Sequence, residues 1–261
     1  MGIFSETIAS LSASGDDWIA DPSADWRQGR TLFGGLSAAL CLAACERAVP
    51  DLPPLRAAQI AFIAPSAGEV RIQVRVLRRG KSVSFLGCDL IAEGSVAVRT
   101  LFAFGAARPS AHSAMASFAP DAPAPEMCEP LFTGSQGPDF AKYIDQRLVR
   151  GGRPVTGADK GDLTIWVRHR DQTPVSPLVS LLALGDALPP ASMTRLLQPA
   201  AISTMTWGLD LIAPERATGG WYLLRATDDA VGDGYSGQSM AMWDETGAPV
   251  MIARQSVAVF A

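Results

Sequence analysis

Histidine is nearly missing from this chain: 261 residues contain two. His112 sits in a Pro-, Ala- and Ser-rich stretch, and His169 stands between Arg168 and Arg170 at a strand end, where a surface position is expected. Serine-hydrolase chemistry therefore has little to draw on for a base. Gly35-Leu36-Ser37-Ala38-Ala39 lacks the last glycine of the nucleophile elbow. Cysteine is sparse too. Cys41, Cys45, Cys88 and Cys128 form no C-x-x-C pair and have no histidine at zinc spacing, which points to reduced thiols and no metal. Cys41 and Cys45, four apart on a helical pattern, read as small core residues. The formal net charge of -4 leaves no basic footprint for nucleic acid. No apolar run is long enough to span a bilayer. Met1-Gly2-Ile3-Phe4-Ser5-Glu6 has neither the basic start nor the long apolar run of a signal peptide, so a cytoplasmic protein is expected. A P-loop and a dinucleotide fingerprint are also missing, and no cofactor is expected.

What is present is apolar sequence and repetition. Hydrophobic residues make up 48% of the chain, enough for a sizeable core. Gln59-Ile60-Ala61-Phe62-Ile63-Ala64-Pro65 and Leu209-Asp210-Leu211-Ile212-Ala213-Pro214 end alike. Each follows an apolar helical segment and precedes three strand-like runs, so one unit is duplicated. The first helix spans about Gly35 to Val49, with Leu36 to Cys45 apolar nearly all round, as in a helix buried on most sides. The second begins at Ser176-Pro177, a helix-start signature, and stops before Pro189-Pro190. Trp18 and Trp26 mark short strands that bring rings to the core. Val70 to Val76 alternates as a half-buried strand should, and meanders follow in both halves. A curled antiparallel sheet around an apolar helix is an α+β arrangement, the hotdog plan, here doubled. The expected domains are 1–106 (N-terminal hotdog), 107–137 (a linker too poor in periodicity to pack) and 138–261 (C-terminal hotdog). Two such sheets joined edge to edge would cover edges otherwise open to aggregation.

Three polar residues stand out in the second copy. Asp186 shares a helix face with Val179, Leu182 and Ala183, where burial of a carboxylate is costly; alternatively, the helix has ended and Asp186 is solvated. Gln255 alternates with Val257 and Val259, so it is either an amide on an apolar face or a strand-end residue satisfied by backbone. Thr204 opens a strand, and its alternation partners Thr206, Gly208 and Asp210 do not place it toward a core. The first copy lacks such groups. Its helix carries Ala, Leu and Cys, and its closing strand reads Arg99-Thr100-Leu101 where the second reads Arg254-Gln255-Ser256. Two folds but one site are expected.

Taken together, Arg30-Thr31-Leu32-Phe33-Gly34-Gly35-Leu36 and Val76-Leu77-Arg78-Arg79-Gly80-Lys81-Ser82-Val83-Ser84 resemble the first hotdog of the acyl-CoA thioesterase II family. Leu184-Gly185-Asp186-Ala187-Leu188-Pro189, Ile202-Ser203-Thr204-Met205-Thr206 and Arg254-Gln255-Ser256 resemble the three segments that carry its catalytic Asp, Thr and Gln. The chain departs from the family at Thr206-Trp207, where members often carry an Asp-His type pair. The resemblance implies hydrolysis of an acyl-CoA by a water held between Asp186, Thr204 and Gln255, with coenzyme A entering only as part of the substrate. It also implies a backbone N–H as oxyanion donor, from the Gly34-Gly35 helix start or a spatial neighbour of it, and a homodimer or higher homo-oligomer. Arg78, Arg79 and Lys81 are either a solvated turn or contacts for coenzyme A phosphates. The rival readings are a non-catalytic acyl-CoA or lipid-binding module and a hotdog dehydratase or hydratase, against which the scarcity of histidine counts.

Overall fold

The apolar run from Leu36 to Cys45 leaves no face for water, and the fold gives it none. In the computed structural model, which describes residues 2–112, 114–133 and 137–261, a helix spans Gly34–Ala48 and every residue from Gly35 to Cys45 is buried. Met1, and residues 113 and 134–136 of the expected linker, lie outside the described residues.

The elements run in order: α1 (Phe4–Ala9), β1 (Ser12–Ser14), β2 (Asp17–Ala20), β3 (Arg27–Gln28), β4 (Thr31–Leu32), α2 (Gly34–Ala48), β5 (Leu55–Phe62), β6 (Val70–Arg79), β7 (Val83–Ala92) and β8 (Ser95–Gly105). After them come β9 (Glu129–Pro130), β10 (Ile144–Gly151), β11 (Asp162–His169), α3 (Pro177–Gly185), β12 (Ala201–Leu211), β13 (Tyr222–Gly232), β14 (Tyr235–Asp244) and β15 (Pro249–Phe260). Among the described residues, thirteen strands form one antiparallel sheet in the order β1-β2-β6-β7-β8-β5-β12-β15-β14-β13-β11-β10-β9. From the centre outward each side repeats the other: β5 answers β12, β8 answers β15, β7 answers β14 and β6 answers β13. The two copies are thus related by a pseudo-twofold axis through the middle of the sheet. The seam pairs the two strands whose ends betrayed the repeat, with Ile60 opposite Trp207 and Ala61 opposite Thr206. Edge-to-edge joining therefore closes two edges that each copy alone would leave unpaired. This is a double hotdog.

The two helices lie side by side inside the sheet and run in opposite directions. The start of α2 meets the end of α3, where a Cβ on Gly35 would press on the Ala183 carbonyl. The end of α2 meets the start of α3, where the Ser176 hydroxyl donates to Glu46 Oε1 at 3.1 Å. Gly35 and Glu46 lie on one stripe of α2, and Ala39, one turn on from Gly35, is a small buried residue on it.

Three expectations change. The segment between the copies is not an unpacked tether. Trp166, Trp221, Leu223 and Trp243 on the outer face of the second copy gather Cys128, Ala119 and Ala122 over them, and Trp166 and Trp243 donate their indole N–H groups to Pro123 O and Ser117 O. Its lack of periodicity reflects packing as an extended strap, held by carbonyls rather than by a helical or strand face. Next, Trp26 is fully buried but reaches the core from a short 3-10 turn, Ala24–Trp26, not from a strand. Third, His169 is a core residue rather than a surface one. It stacks on Phe4 of α1 at 4.1 Å between ring centroids, and its Nε2 lies 3.2 Å from Ser180 O. Burial lowers its pKa to about 4, so the ring is neutral. The flanking arginines face outward on the alternating strand while His169 turns inward.

Candidate active site

Helix α3 stops at Gly185, and Asp186 is its C-cap, with φ -102° and ψ 5°. The helix has ended, as one reading of the sequence held, yet the side chain is not given over to solvent. Asp186 is half-buried, and protein surrounds it so closely that desolvation raises its pKa to about 7. Two donors work in the opposite direction, favouring the charged form. Gln255 Nε2 donates to Asp186 Oδ1 at 2.7 Å. The backbone N–H of Gly35, at the start of α2, adds a weaker effect. The carboxylate thus sits at the unfavourable end of its own helix dipole and at the favourable end of its neighbour's.

Gln255 lies on β15 among inward-facing Met251, Ala253 and Val257, and is itself 3% exposed. Its partners are side chains, not the neighbouring backbone. Gln238 on β14 stands directly opposite and donates from Nε2 to Gln255 Oε1 at 2.7 Å. Gln238 Oε1 in turn accepts the Ala191 N–H at 2.7 Å. A single directed chain therefore runs from the backbone at 191 through two amides to the carboxylate. The chain fixes both amide orientations, because reversing either would set donor against donor. From the other side, Gln146 on β10 donates to Ala187 O at 2.5 Å, so the segment following Asp186 is tied to the sheet twice. Gln238 was missed in the sequence, although it follows the same rule as Gln255: an amide alternating with Ser236, Met240 and Met242 on a buried face.

Thr204 reaches this face through an irregularity. Between Thr204 and Thr206 the register of β12 against β15 shifts by one residue. Thr204 pairs with Val257 and Trp207 with Gln255, and directly paired residues share a face. The extra residue thus turns Thr204 to the inner side, which regular alternation would have denied it. Thr204 makes no hydrogen bond to Asp186 or Gln255 among the described residues.

Gly34 and Gly35 serve close approach. A Cβ on Gly34 would stand 2.6 Å from Asp186 Oδ2, and one on Gly35 would stand 2.5 Å from the Phe33 ring. Only glycine lets the start of α2 abut the carboxylate. Arg78, Arg79 and Lys81 are not brought to this place. They lie on the exposed β6–β7 hairpin, where Arg79 donates to Pro50 O at 3.1 Å. Pro50 follows the far end of α2, roughly 20 Å along the helix from Gly34. Neither histidine stands at the site.

A single curled antiparallel sheet built from two like halves and enclosing two antiparallel helices defines the double hotdog class. The solved structures agree. A hot dog fold protein of unknown function from Alicyclobacillus acidocaldarius superposes with a TM-score of 0.88 at 24% identity, over 99% of this chain and 98% of that one. The acyl-CoA thioesterase II TesB2 of Mycobacterium marinum gives 0.79 at 18% identity over 98% of each chain, and the tesB protein of Mycobacterium avium subs paratuberculosis gives 0.80 at 16% over 99% and 98%. No curated protein is similar enough to count as a match. The acyl-CoA thioesterase N-terminal domain matches residues 22–105, and the acyl-CoA thioesterase C-terminal domain matches residues 120–259. The chain belongs to the acyl-CoA thioesterase family.

Proposed function

We propose that this protein hydrolyses an acyl-CoA thioester, using a water activated by Asp186 and oriented by Gln255 and Thr204. The observation that carries the reading is the state of Asp186. A carboxylate raised to about 7 can accept a proton near neutral pH, whereas an ordinary one is too weak a base. Gln255 holds the carboxylate in one orientation, and Thr204 shares the inner face from which a water would be held. The water oxygen bonds to the thioester carbon while Asp186 takes its proton. The carbon–sulfur bond then breaks, and the proton passes to the departing thiolate, giving a carboxylic acid and coenzyme A. The acyl chain would lie in the apolar space between the copies. No step calls on a metal, and coenzyme A enters only as part of the thioester and leaves as the free thiol.

The test is thiol release from a panel of acyl-CoAs. The wild-type protein should turn over at least one, with a kcat/KM that rises with pH around an apparent pKa near 7. The Asp186→Asn variant should lose on the order of 10²- to 10⁴-fold in kcat with its fold intact. No thiol release across the panel, with acyl-CoA still raising the melting temperature, would instead favour a binding module.

A further inference from the structure

Trp207 stands beside the carboxylate–amide chain with a polar atom to spare. It is the direct partner of Gln255 across β12 and β15, on the inner face, and it is fully buried. Its ring carbon Cζ2 is 3.1 Å from the point where a Cβ on Gly185 would lie. Gly185 immediately precedes Asp186, and Nε1 is attached to the ring carbon next to Cζ2. The indole N–H therefore sits on the edge of the ring that meets the end of α3.

That N–H has no hydrogen-bond partner among the described residues. Three other indoles in the protein behave differently. Trp26, Trp166 and Trp243 donate to Gly2 O, Pro123 O and Ser117 O at 2.8, 2.8 and 3.1 Å. Buried donors are almost always paired, so an unpaired one calls for an explanation. Here the orphan is within the same cluster of side chains as Asp186. The Gly35 N–H at the start of α2 is already acting on Asp186 itself.

We infer that the Trp207 indole N–H is a donor to the carbonyl oxygen of the bound thioester, and that it stabilises the oxyanion formed when water attacks. The inference rests on the hydrolytic reading above. As the carbon–oxygen bond to water forms, the carbonyl π pair moves onto oxygen, and the N–H strengthens its bond to that charge. When the pair returns, the carbon–sulfur bond breaks. Trp207 neither gains nor loses a proton. Such a donor is preorganised, because the indole is locked by packing before substrate arrives.

The Trp207→Phe variant keeps the ring and deletes the donor. Removal of one oxyanion donor costs about 10²- to 10³-fold in kcat, and that loss is expected here with KM changed by less than about threefold. The apparent pKa near 7 should stay in place, since Asp186 is untouched. Independently, the wild-type protein labelled with nitrogen-15 should show the Trp207 indole resonance, assigned through its own spin system, moving downfield on binding a ketone analogue of acyl-CoA with carbon in place of sulfur. Wild-type kcat in Trp207→Phe, or an unmoved resonance at saturation, overturns the assignment. The resonance decides the matter even where the variant does not fold. A dead Asp186→Asn beside a fully active Trp207→Phe sinks this inference alone. An active Asp186→Asn sinks the hydrolytic reading.

Discussion

The two copies meet the same structural demand with opposite chemistry. In the second, the interior between helix and sheet holds Asp186, Gln255 and Gln238 in one hydrogen-bonded line. In the first, the strand positions that answer Gln255 and Gln238 carry Thr100 and Cys88. They are satisfied locally, with Thr100 Oγ1 donating to Cys88 O at 3.3 Å and Cys88 Sγ lying 3.8 Å from Cys41 O. Burial in low dielectric is cheap for a thiol and costly for a carboxylate. The first copy is therefore free to be a packed wall. The second carries that cost at Asp186, and on the proposed reading the raised pKa is what suits the carboxylate to act as a base. The helix junctions differ in the same sense. At the far junction burial also raises the pKa of Glu46, which among the described residues accepts only the Ser176 hydroxyl. No amide chain backs it.

The comparison breaks most sharply at Gln255. Replacement by alanine strands the Gln238 amide and frees the carboxylate. A loss of about 10²-fold in kcat is expected, comparable to loss of a positioning contact. The Gln255 bond favours the charged form, so its removal should also move the acidic limb of the kcat/KM profile to higher pH. A pH–rate profile superposable on that of the wild type would show that Gln255 does not act on Asp186.

A second test concerns stability. Below the ordinary carboxylate range Asp186 is protonated in both folded and unfolded chains. As pH rises toward about 7 the unfolded chain ionises first, so folding stability is lost across that window. The Asp186→Asn variant cannot ionise. Near pH 8 it should melt roughly 3–8 °C above the wild type, with the difference closing near pH 4. Equal melting temperatures at both pH values would mean that Asp186 carries no burial cost. The smallest effect is expected at the other junction. Glu46→Gln should leave kcat within about twofold, measured by the same thiol release. A large fall there would make the first copy an active partner and not a wall.

Much of the architecture was legible in local sequence. Helix α2 betrayed its burial by an apolar surface on all sides, α3 by Ser176-Pro177 at its start, and the duplication by two Ile-Ala-Pro endings. Asp186 and Gln255 stood out as polar residues on apolar faces. Thr204 was hidden, because a one-residue register shift inverts the face that alternation assigns. His169 was misjudged because a helix more than 150 residues earlier in the chain, α1, covers it. Trp207 was noted only as a departure from the family pattern, and Gln238 was passed over although its alternation was readable.

The sequence by itself determined the two long apolar helices and the strand meanders that follow them, that the fold is doubled, and that the second copy carries polar residues on apolar faces where the first does not. Those properties follow from side-chain periodicity and composition within a few consecutive residues. Only the tertiary structure decided that the acid ending α3 rests on the glycines starting α2, and that its amide partners come from β14 and β15. It also decided that an indole donor is left unpaired beside them. Each of these depends on desolvation and contact between residues far apart in the chain. The approach of the α2 glycines to Asp186 joins the two copies, whose sheets meet along β5 and β12.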